Sequence, residues 1–285
     1  MNLASPLRYP GGKGTMAGVL AEIRRQNGIA GLVQAEPFAG GAGASLSLLY
    51  EERTPEILIN DADPAMYDFW WALTARNEAF GCMLRGVRAS MAEWRRQREV
   101  YRSRGAGRLK KGFATFYLNR CNRSGIILNG GPIGGAAQTS DWKIGARFNK
   151  ETLLERCQKV GRYADRIKVS GIDGIKFIDT VNTDETFLFI DPPYFHKGPL
   201  LYLNSLDEQY HVALSEKLKA LPERAAWVLT YDDCPEIRKL YRSWASLRSF
   251  KLRYTASERR KGCEVLITPR WMSLPKRQKS LAIEW

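Results

Sequence analysis

The sequence predicts an α/β protein with a doubly wound, Rossmann-like sheet and an inserted, mainly helical module. Near the N-terminus a short predicted strand at 32–38 leads through glycines into a helical stretch at 44–52, and an apolar run follows at 57–59. The pattern returns in the second half, where strand-like runs lie at 166–171, 187–190, 227–231 and 264–268, with helical segments at 208–220 and 235–241. Between about residues 65 and 155 this alternation disappears.

The composition favours a polyanionic partner. Lysine and arginine total 44 against 30 acidic residues, a net charge of +14 with a pI near 9.7. Nucleic acid is the first candidate for such a partner and an anionic membrane surface is the second. No apolar run approaches membrane-spanning length, and the N-terminus lacks the apolar core of a signal peptide. The five cysteines are scattered without a C-x-x-C pair, which favours reduced thiols in the cytoplasm and no metal site.

The segment from 65 to 155 is predicted to be the inserted module, and residues 1–64 and 156–285 the main domain. Helical patterns at 66–83 and 91–104 precede a glycine-rich section at 129–135, which predicts a loop or hairpin. Residues 85–123 contain twelve lysines and arginines against two acids. We expect this module to face nucleic acid; the simpler interpretation is a solvated basic helix with a long surface loop.

The most informative motif is Asp191-Pro192-Pro193-Tyr194, directly after the apolar run at 187–190. The two prolines fix the backbone, so the chain can neither continue the strand nor enter a helix there. The Asp191 carboxylate and the Pro192 carbonyl can then accept hydrogen bonds from one amino group, and Tyr194 offers a flat face for a planar base. The alternative is a strand followed by an ordinary proline turn.

A glycine-rich turn at 36–43 joins the first predicted strand to the first helix of the sheet pattern. Glycines let a ligand approach the backbone closely, although the spacing departs from G-x-G-x-x-G because position 46 is Leu46. Asp61 follows the second strand, where an acidic residue can hold ribose hydroxyls or, alternatively, cap a helix. Tyr9 and Lys13 precede these motifs; Lys13 could pair with a ligand carboxylate or simply be an exposed lysine.

Together these motifs resemble the Dam-type (D12 class, alpha group) DNA N6-adenine methyltransferases. The resemblance covers Tyr9 to Lys13, the 36–43 turn, Asp61 and the Asp191–Tyr194 motif in this order, and also the stretches 118–125 and 229–233. It implies a Rossmann-like S-adenosylmethionine-dependent methyltransferase sheet whose insertion is the target recognition domain. It further implies site-specific methylation of a flipped-out adenine in double-stranded DNA.

The resemblance also implies roles for individual residues. Asp191, Pro192, Pro193 and Tyr194 would hold and stack on the target adenine. The S-adenosylmethionine site would include Asp191 and a set that the resemblance matches along the chain: Tyr9, Lys13, Pro37, Phe38, Ala39, Gly40, Gly41, Asp61, Ile172 and Asp173. No covalent intermediate and no general base is required, so His196 is interpreted as a rim residue and His211 as structural.

DNA contacts are expected from Arg120, Asn122, Arg123, Gln138, Lys143, Arg147 and Lys261. Arginine commonly reads guanine and lysine often serves phosphates. Residues 122–129 depart from the Asn-Gly-Leu-x-Arg-Tyr-Asn pattern of the GATC-methylating members, so the recognition sequence stays open. Partner proteins of a restriction or defence system are compatible with this interpretation.

Three alternatives remain at this point. An RNA or protein amide methyltransferase could use a similar pocket motif, but the basic insertion favours DNA. A DNA-binding relative without catalysis is disfavoured by the intact motif at 191–194. A nicotinamide dehydrogenase is disfavoured by the glycine spacing.

Overall fold

The computed structural model describes residues 4–8, 13–195, 206–252, 263–276 and 283–284. Within them lie ten α-helices and eight β-strands, so the α/β fold class is confirmed. The helices are α1 (Ala17–Gln26), α2 (Gly43–Tyr50), α3 (Pro64–Ala75), α4 (Asn77–Gly86), α5 (Met91–Arg102), α6 (Arg108–Cys121), α7 (Lys150–Arg162), α8 (Gly174–Thr180), α9 (Glu208–Lys219) and α10 (Pro235–Tyr241). The strands are β1 (Val33–Glu36), β2 (Ile57–Asn60), β3 (Ile167–Ser170), β4 (Thr186–Ile190), β5 (Ala226–Asp232), β6 (Ala245–Leu252), β7 (Glu264–Pro269) and β8 (Ile283–Glu284).

The chain divides into two compact units. We call Met1–Gly12 with Asp61–Gly171 the helical unit, and Lys13–Asn60 with Ile172–Trp285 the sheet unit. The insertion was predicted from the sequence to begin near residue 65 and to end near residue 155. The interpretation of the helical unit as a target recognition domain stays a prediction.

The sheet unit contains seven strands in the order β2-β1-β4-β5-β7-β6-β8. Strands β2, β1, β4 and β5 are parallel, and β7 runs antiparallel between β5 and β6. Because β2 lies on one side of β1 and β4 on the other, the strand order reverses between β1 and β4. In open α/β sheets, ligands bind at the carboxyl ends of the strands at such a reversal.

Alternating side chains of β4 supply the cores on both faces of this sheet. Phe187 and Phe189 pack with buried residues of α1 and α2. Leu188 and Ile190 pack with buried residues of α8, α9 and α10. All five residues of the strand are buried. A strand covered by helices on both faces reads as a continuous apolar run, and this is why the sequence showed it clearly.

In the helical unit, α3 and α6 pack closely around an aromatic core. A Cβ atom at Gly112 would lie 2.3 Å from the carbonyl oxygen of Asp68, so only glycine permits this approach. The core rings are Phe69, Phe80, Phe113, Phe116 and Phe148. This unit therefore has a core of its own, and its charged residues surround it.

One predicted element of the insertion was wrong. The helix predicted over 66–83 is two helices, because Arg76 leaves helical geometry at φ −135° and ψ 37°. The stretch after residue 129, predicted to be a loop or hairpin, is a loop: it contains turns and a short 3-10 helix (Ile144–Arg147) and is joined to the preceding chain by a single bridge between Asn122 and Pro132. Helix α6 was missed.

Within the described residues, no helix has the length and apolar character that a membrane span requires.

Candidate active site

Two loops meet the sheet at the reversal point. The Pro37–Gly41 turn follows β1, and Asp191 follows β4. Strands β1 and β4 are parallel neighbours, with Ala35 opposite Leu188. Because parallel strands end at the same edge, both loops project from the same edge of the sheet, next to each other.

Asp191 lies in a polar corner of this edge. Its Oδ1 accepts a hydrogen bond from the Thr230 hydroxyl at 2.5 Å and lies 3.6 Å from the Lys13 Nζ. Burial raises the pKa of Asp191 to about 6, and the nearby Lys13 ammonium partly opposes this rise. The side chain keeps 21% of its surface exposed. At neutral pH Asp191 is therefore a carboxylate that can accept further hydrogen bonds.

The segment after Asp191 is fixed at both ends. Pro192 is buried, whereas Pro193 and Tyr194 are partly exposed. The backbone N–H of Phe195 donates to Asp232 Oδ1 at 3.1 Å, which holds the segment against β5. Lys13 Nζ donates to the Tyr194 hydroxyl and lies 4.9 Å from the centre of its ring. The predicted catalytic motif and Lys13 are thus together in the structure.

Lys13 also contacts an acid that the sequence analysis missed. Its Nζ lies 3.1 Å from Glu264 Oε2, and only 3% of the Lys13 side chain is exposed. Glu264 begins β7, opposite Asp232 of β5, and is itself buried. A glutamate at the start of an otherwise apolar strand was the one available signal, because a buried acid generally requires a cation.

The glycine turn is anchored by Glu36. Its Oε1 accepts hydrogen bonds from the Ser45 backbone N–H at 3.0 Å and from the Ser45 hydroxyl, which join β1 to the first turn of α2. Burial raises the pKa of Glu36 to about 8. Gly40 adopts φ +47°, in the left-handed region that glycine tolerates best. The turn therefore has a fixed path along the edge of the sheet.

Asn60, at the end of β2, connects two of the predicted cofactor segments. Its Nδ2 donates to the carbonyl oxygens of Pro37 at 2.9 Å and Ile172 at 2.8 Å. Its Oδ1 accepts from the Ile172 backbone N–H at 3.0 Å. Asn60 is buried, whereas Ile172 is 40% exposed. The sequence analysis missed Asn60, since nothing local distinguishes it from any polar residue at a strand end.

Asp173 and Phe38 have structural partners. Asp173 Oδ1 caps α8 by accepting from the N–H groups of Ile175 and Lys176 at 3.0 and 3.1 Å, and its Oδ2 accepts from the Tyr210 hydroxyl at 2.7 Å. The Phe38 ring meets the Tyr210 ring edge-on at 6.3 Å. A cofactor contact by either residue stays a prediction.

Asp61 belongs to the helical unit. Its Oδ1 accepts from the Asp63 N–H at 3.0 Å, and its own N–H donates to the Ser170 carbonyl at 3.3 Å. Asp63, two residues later, caps α3 through the Ala65 N–H at 2.8 Å. Asp61 is thus not the cap of α3, and ribose binding by Asp61 stays a prediction.

Two of the predicted DNA contacts are buried in the helical unit. Arg120 donates from Nε and Nη2 to the Arg147 carbonyl at 2.9 and 2.6 Å. Burial lowers the pKa of Arg120 to about 10. Asn122 accepts from the Trp94 indole N–H at 2.7 Å and donates to the Ile126 and Ile127 carbonyls. These contacts favour a supporting role for both side chains.

The other described candidates lie at or near the surface. Arg123, Lys143 and Arg147 are exposed. Gln138 shapes its loop, because Nε2 donates to the Ile133 and Gly135 carbonyls and Oε1 accepts from the Ile144 N–H. The Arg147 guanidinium lies 5.6 Å from the ring centre of Trp142, which is 65% exposed. Their contacts with DNA stay predictions.

Three predicted residues, Tyr9, His196 and Lys261, lie outside the described residues. His211 is buried in α9, and its Nδ1 pairs with the Tyr231 hydroxyl at 2.7 Å. Burial lowers its pKa. Among the described residues, no group of three or more histidine, cysteine, aspartate or glutamate side chains could hold a metal ion.

One comparison identifies a family. The model of the D12 class N6 adenine-specific DNA methyltransferases matches residues 9–256, which is most of the chain. A search among curated proteins found no match.

Proposed function

The chain belongs to the D12 class N6 adenine-specific DNA methyltransferase family, and on this premise we propose that it transfers the methyl group of S-adenosylmethionine to N6 of a flipped-out adenine. Adenine-specific DNA methylation follows from the family itself. The methyl donor, the extruded base and the residue roles are our proposal. The observation that carries it is the convergence of Asp191, Tyr194 and Lys13 at the strand reversal.

The edge of the sheet has groups that suit S-adenosylmethionine. The Pro37–Gly41 turn would hold the methionine end, and the exposed Ile172 side chain would lie against the adenine ring of the donor. Asn60 supports both segments through its hydrogen bonds to Pro37 and Ile172. When bound, S-adenosylmethionine supplies an electrophilic methyl group on a sulfonium. Asp61 would hold the ribose, and Lys13 and Tyr9 the carboxylate end.

The reaction requires N6 of adenine to become a better nucleophile, because its lone pair is delocalised into the ring. The Asp191 carboxylate and the Pro192 carbonyl would each accept a hydrogen bond from one of the two N–H groups of N6 and draw N6 towards tetrahedral geometry. The lone pair freed in this way would attack the methyl group that the sulfonium donor supplies, with the donor sulfur as leaving group, and N6 would lose a proton to water. The same two acceptors stabilise the positive charge that develops on N6.

The target atom lies inside the base stack, so the base must leave the duplex at a cost of roughly a few kcal/mol. Stacking on the partly exposed Tyr194 ring would return about 1–3 kcal/mol of this cost. Because Tyr194 is linked to Lys13 and its segment is held by Asp232, the ring is positioned before the base arrives.

The charge of the helical unit supports its role as the target recognition domain. It contains 22 lysines and arginines against 10 acidic residues, so +12 of the net +14 belongs to it. A surface of this charge attracts DNA phosphates independently of sequence. With the family identified, the RNA, protein amide and dehydrogenase alternatives have no observation in their favour.

Substitution of Asp191 tests the proposal. We expect Asp191→Ala and the nearly isosteric Asp191→Asn to lower methyl transfer to duplex DNA by at least about 10³-fold, because the acceptor for N6 is weakened or lost. The measurement is transfer of radiolabel from S-adenosylmethionine to DNA, alongside DNA binding and thermal unfolding of each variant. Near-normal turnover by a folded Asp191→Ala protein would falsify the assignment.

A further inference from the structure

The Lys13 ammonium contacts Asp191, which the target amine is proposed to use, and Tyr194, on which the target base is proposed to stack. Its Nζ lies 3.6 Å from Asp191 Oδ1, donates to the Tyr194 hydroxyl, and lies 4.9 Å from the centre of the Tyr194 ring. A cation this close to Asp191 competes with N6 for the carboxylate. It also opposes the positive charge that develops on N6 during transfer.

Glu264 offers the Lys13 ammonium a second carboxylate, and at a shorter distance. The Lys13 Nζ is 3.1 Å from Glu264 Oε2 and 3.6 Å from Asp191 Oδ1. Glu264 is 5% exposed and lies on a strand paired on both sides, with Asp232 of β5 and Phe250 of β6. Its backbone is therefore held by two neighbouring strands, whereas Asp191 lies on the loop after β4.

Glu264 begins a strand whose next three residues, Val265, Leu266 and Ile267, are also buried, and a buried carboxylate is costly unless a cation accompanies it. Such a group is more easily explained if its charge has a task. Lys13 and Glu264 also act on Asp191 in opposite directions: the Lys13 ammonium lowers the pKa of Asp191, and the Glu264 carboxylate raises it.

We propose that Glu264 is a positioning residue that draws the Lys13 ammonium away from Asp191 and leaves that carboxylate for the target amine. In the protein without DNA, Lys13 is shared between the two carboxylates. When the adenine enters, N6 takes the place of Lys13 on Asp191, and Glu264 retains the ammonium. This inference rests on the proposed function and adds to it a group that touches neither substrate.

The test uses Glu264→Gln in the full chain, with the exposed Glu223→Gln as a control for loss of one negative charge in the same unit. At saturating S-adenosylmethionine, we expect kcat/KM for DNA to fall about tenfold in Glu264→Gln and to stay unchanged in the control. The acid limb of the pH profile moves to lower pH, because a carboxylate that raises the pKa of Asp191 has been removed. A purely structural defect would lower activity without moving that limb.

A double-mutant cycle with Lys13→Gln separates action through Lys13 from any other effect. If Glu264 acts through Lys13, the Glu264→Gln change costs little in a protein that already has Gln at position 13. Glu264→Asp, which keeps the charge, should preserve the wild-type pH profile and gives a second route if Glu264→Gln unfolds.

The outcomes distinguish this inference from the proposed function. A wild-type protein that fails to methylate DNA overturns both. If the wild type is active but Glu264→Gln matches it in rate and pH profile, only the role of Glu264 is overturned. The same holds if the loss is equal with Lys or Gln at position 13.

Discussion

The two units of this chain differ sharply in charge. The helical unit has 22 basic and 10 acidic residues, whereas the sheet unit has 22 basic and 20 acidic residues, a net charge of +2. Two acids of the sheet unit, Asp191 and Glu264, lie within 3.6 Å of the Lys13 ammonium at the candidate active site. The proposed chemistry needs negative charge next to the target amine, and DNA binding needs positive charge. The separation into two units allows both requirements to be met.

The charged groups of the two units also differ in their burial. In the sheet unit, Lys13 and Glu264 are buried and joined in one cluster. In the helical unit, Arg95 and Arg102 are exposed on α5, seven residues apart and so on one face of that helix. Exposed cations can bind DNA phosphates at little cost, whereas the proposed role of Asp191 requires a fixed position. We therefore expect changes in the two units to affect different measurements.

Among the changes that compare the two units, the largest effect is expected from the arginines of the helical unit. Replacing Arg95, Arg102 and Arg104 with Gln should weaken duplex DNA binding by about 10- to 100-fold and lower the slope of log K against log salt by roughly three. Turnover at saturating DNA should stay near that of the wild type, because the residues proposed to carry out methyl transfer are unchanged. Fluorescence anisotropy over a salt series measures the binding.

The matched control removes three exposed cations from the sheet unit: Lys219, Lys239 and Arg242, all changed to Gln. The net charge changes equally in both triple variants. Equal losses of affinity would mean that overall charge, not its location, attracts DNA, and the comparison between the units would fail.

The contrast between local and distant signals explains what the sequence could predict. The Asp191–Tyr194 motif was predicted because an apolar strand and two prolines define it within a few residues. The pairing of Lys13 with Glu264 joins opposite ends of the chain, so no local pattern contains it. Helix α6 was missed for a related reason: ten of its fourteen residues are buried, so it lacks the polar face that reveals an amphipathic helix.

An intermediate effect is expected at Asn60 in the sheet unit. Asn60→Ala removes three hydrogen bonds that hold Pro37 and Ile172. The KM for S-adenosylmethionine should rise by about tenfold, since leaving buried backbone groups without partners costs on the order of 1–3 kcal/mol. The affinity for DNA should not change. Steady-state kinetics with varied S-adenosylmethionine provide the measurement.

Asn27 is a matched control for this substitution. Its Nδ2 donates to the Ile23 and Ser273 carbonyls at 2.7 and 2.9 Å, and its Oδ1 accepts from the Ser273 N–H at 2.8 Å. Asn27→Ala thus removes the same number and kind of hydrogen bonds, two donated and one accepted, at a position away from the strand reversal. If both variants raise the KM equally, a general loss of stability is responsible rather than the position of Asn60.

The smallest effect is a difference in pH dependence: methyl transfer should decline in mild acid, whereas DNA binding should not. Because burial raises the pKa of Asp191 to about 6, its carboxylate becomes protonated as the pH falls through this value. At pH 5.5 about a quarter remains ionised, so kcat/KM for DNA should be about fourfold below its plateau. The arginines of the helical unit keep their charge over this range, and DNA binding should change little between pH 7 and 5.5.

The sign of the stability change is opposite to that of activity. A folded pKa above the ordinary 3.8 means that the folded protein binds this proton more tightly than the unfolded chain does. The contribution of Asp191 to stability is therefore complete below about pH 4 and is lost as the pH rises through 6. Asp191→Asn should remove this pH-dependent loss, which thermal unfolding of both proteins at pH 5 and 7 would measure. If the activity of the wild type instead declines only near pH 4, Asp191 has an ordinary, solvated carboxylate. The contrast between buried charges in the sheet unit and exposed charges in the helical unit would then not include Asp191.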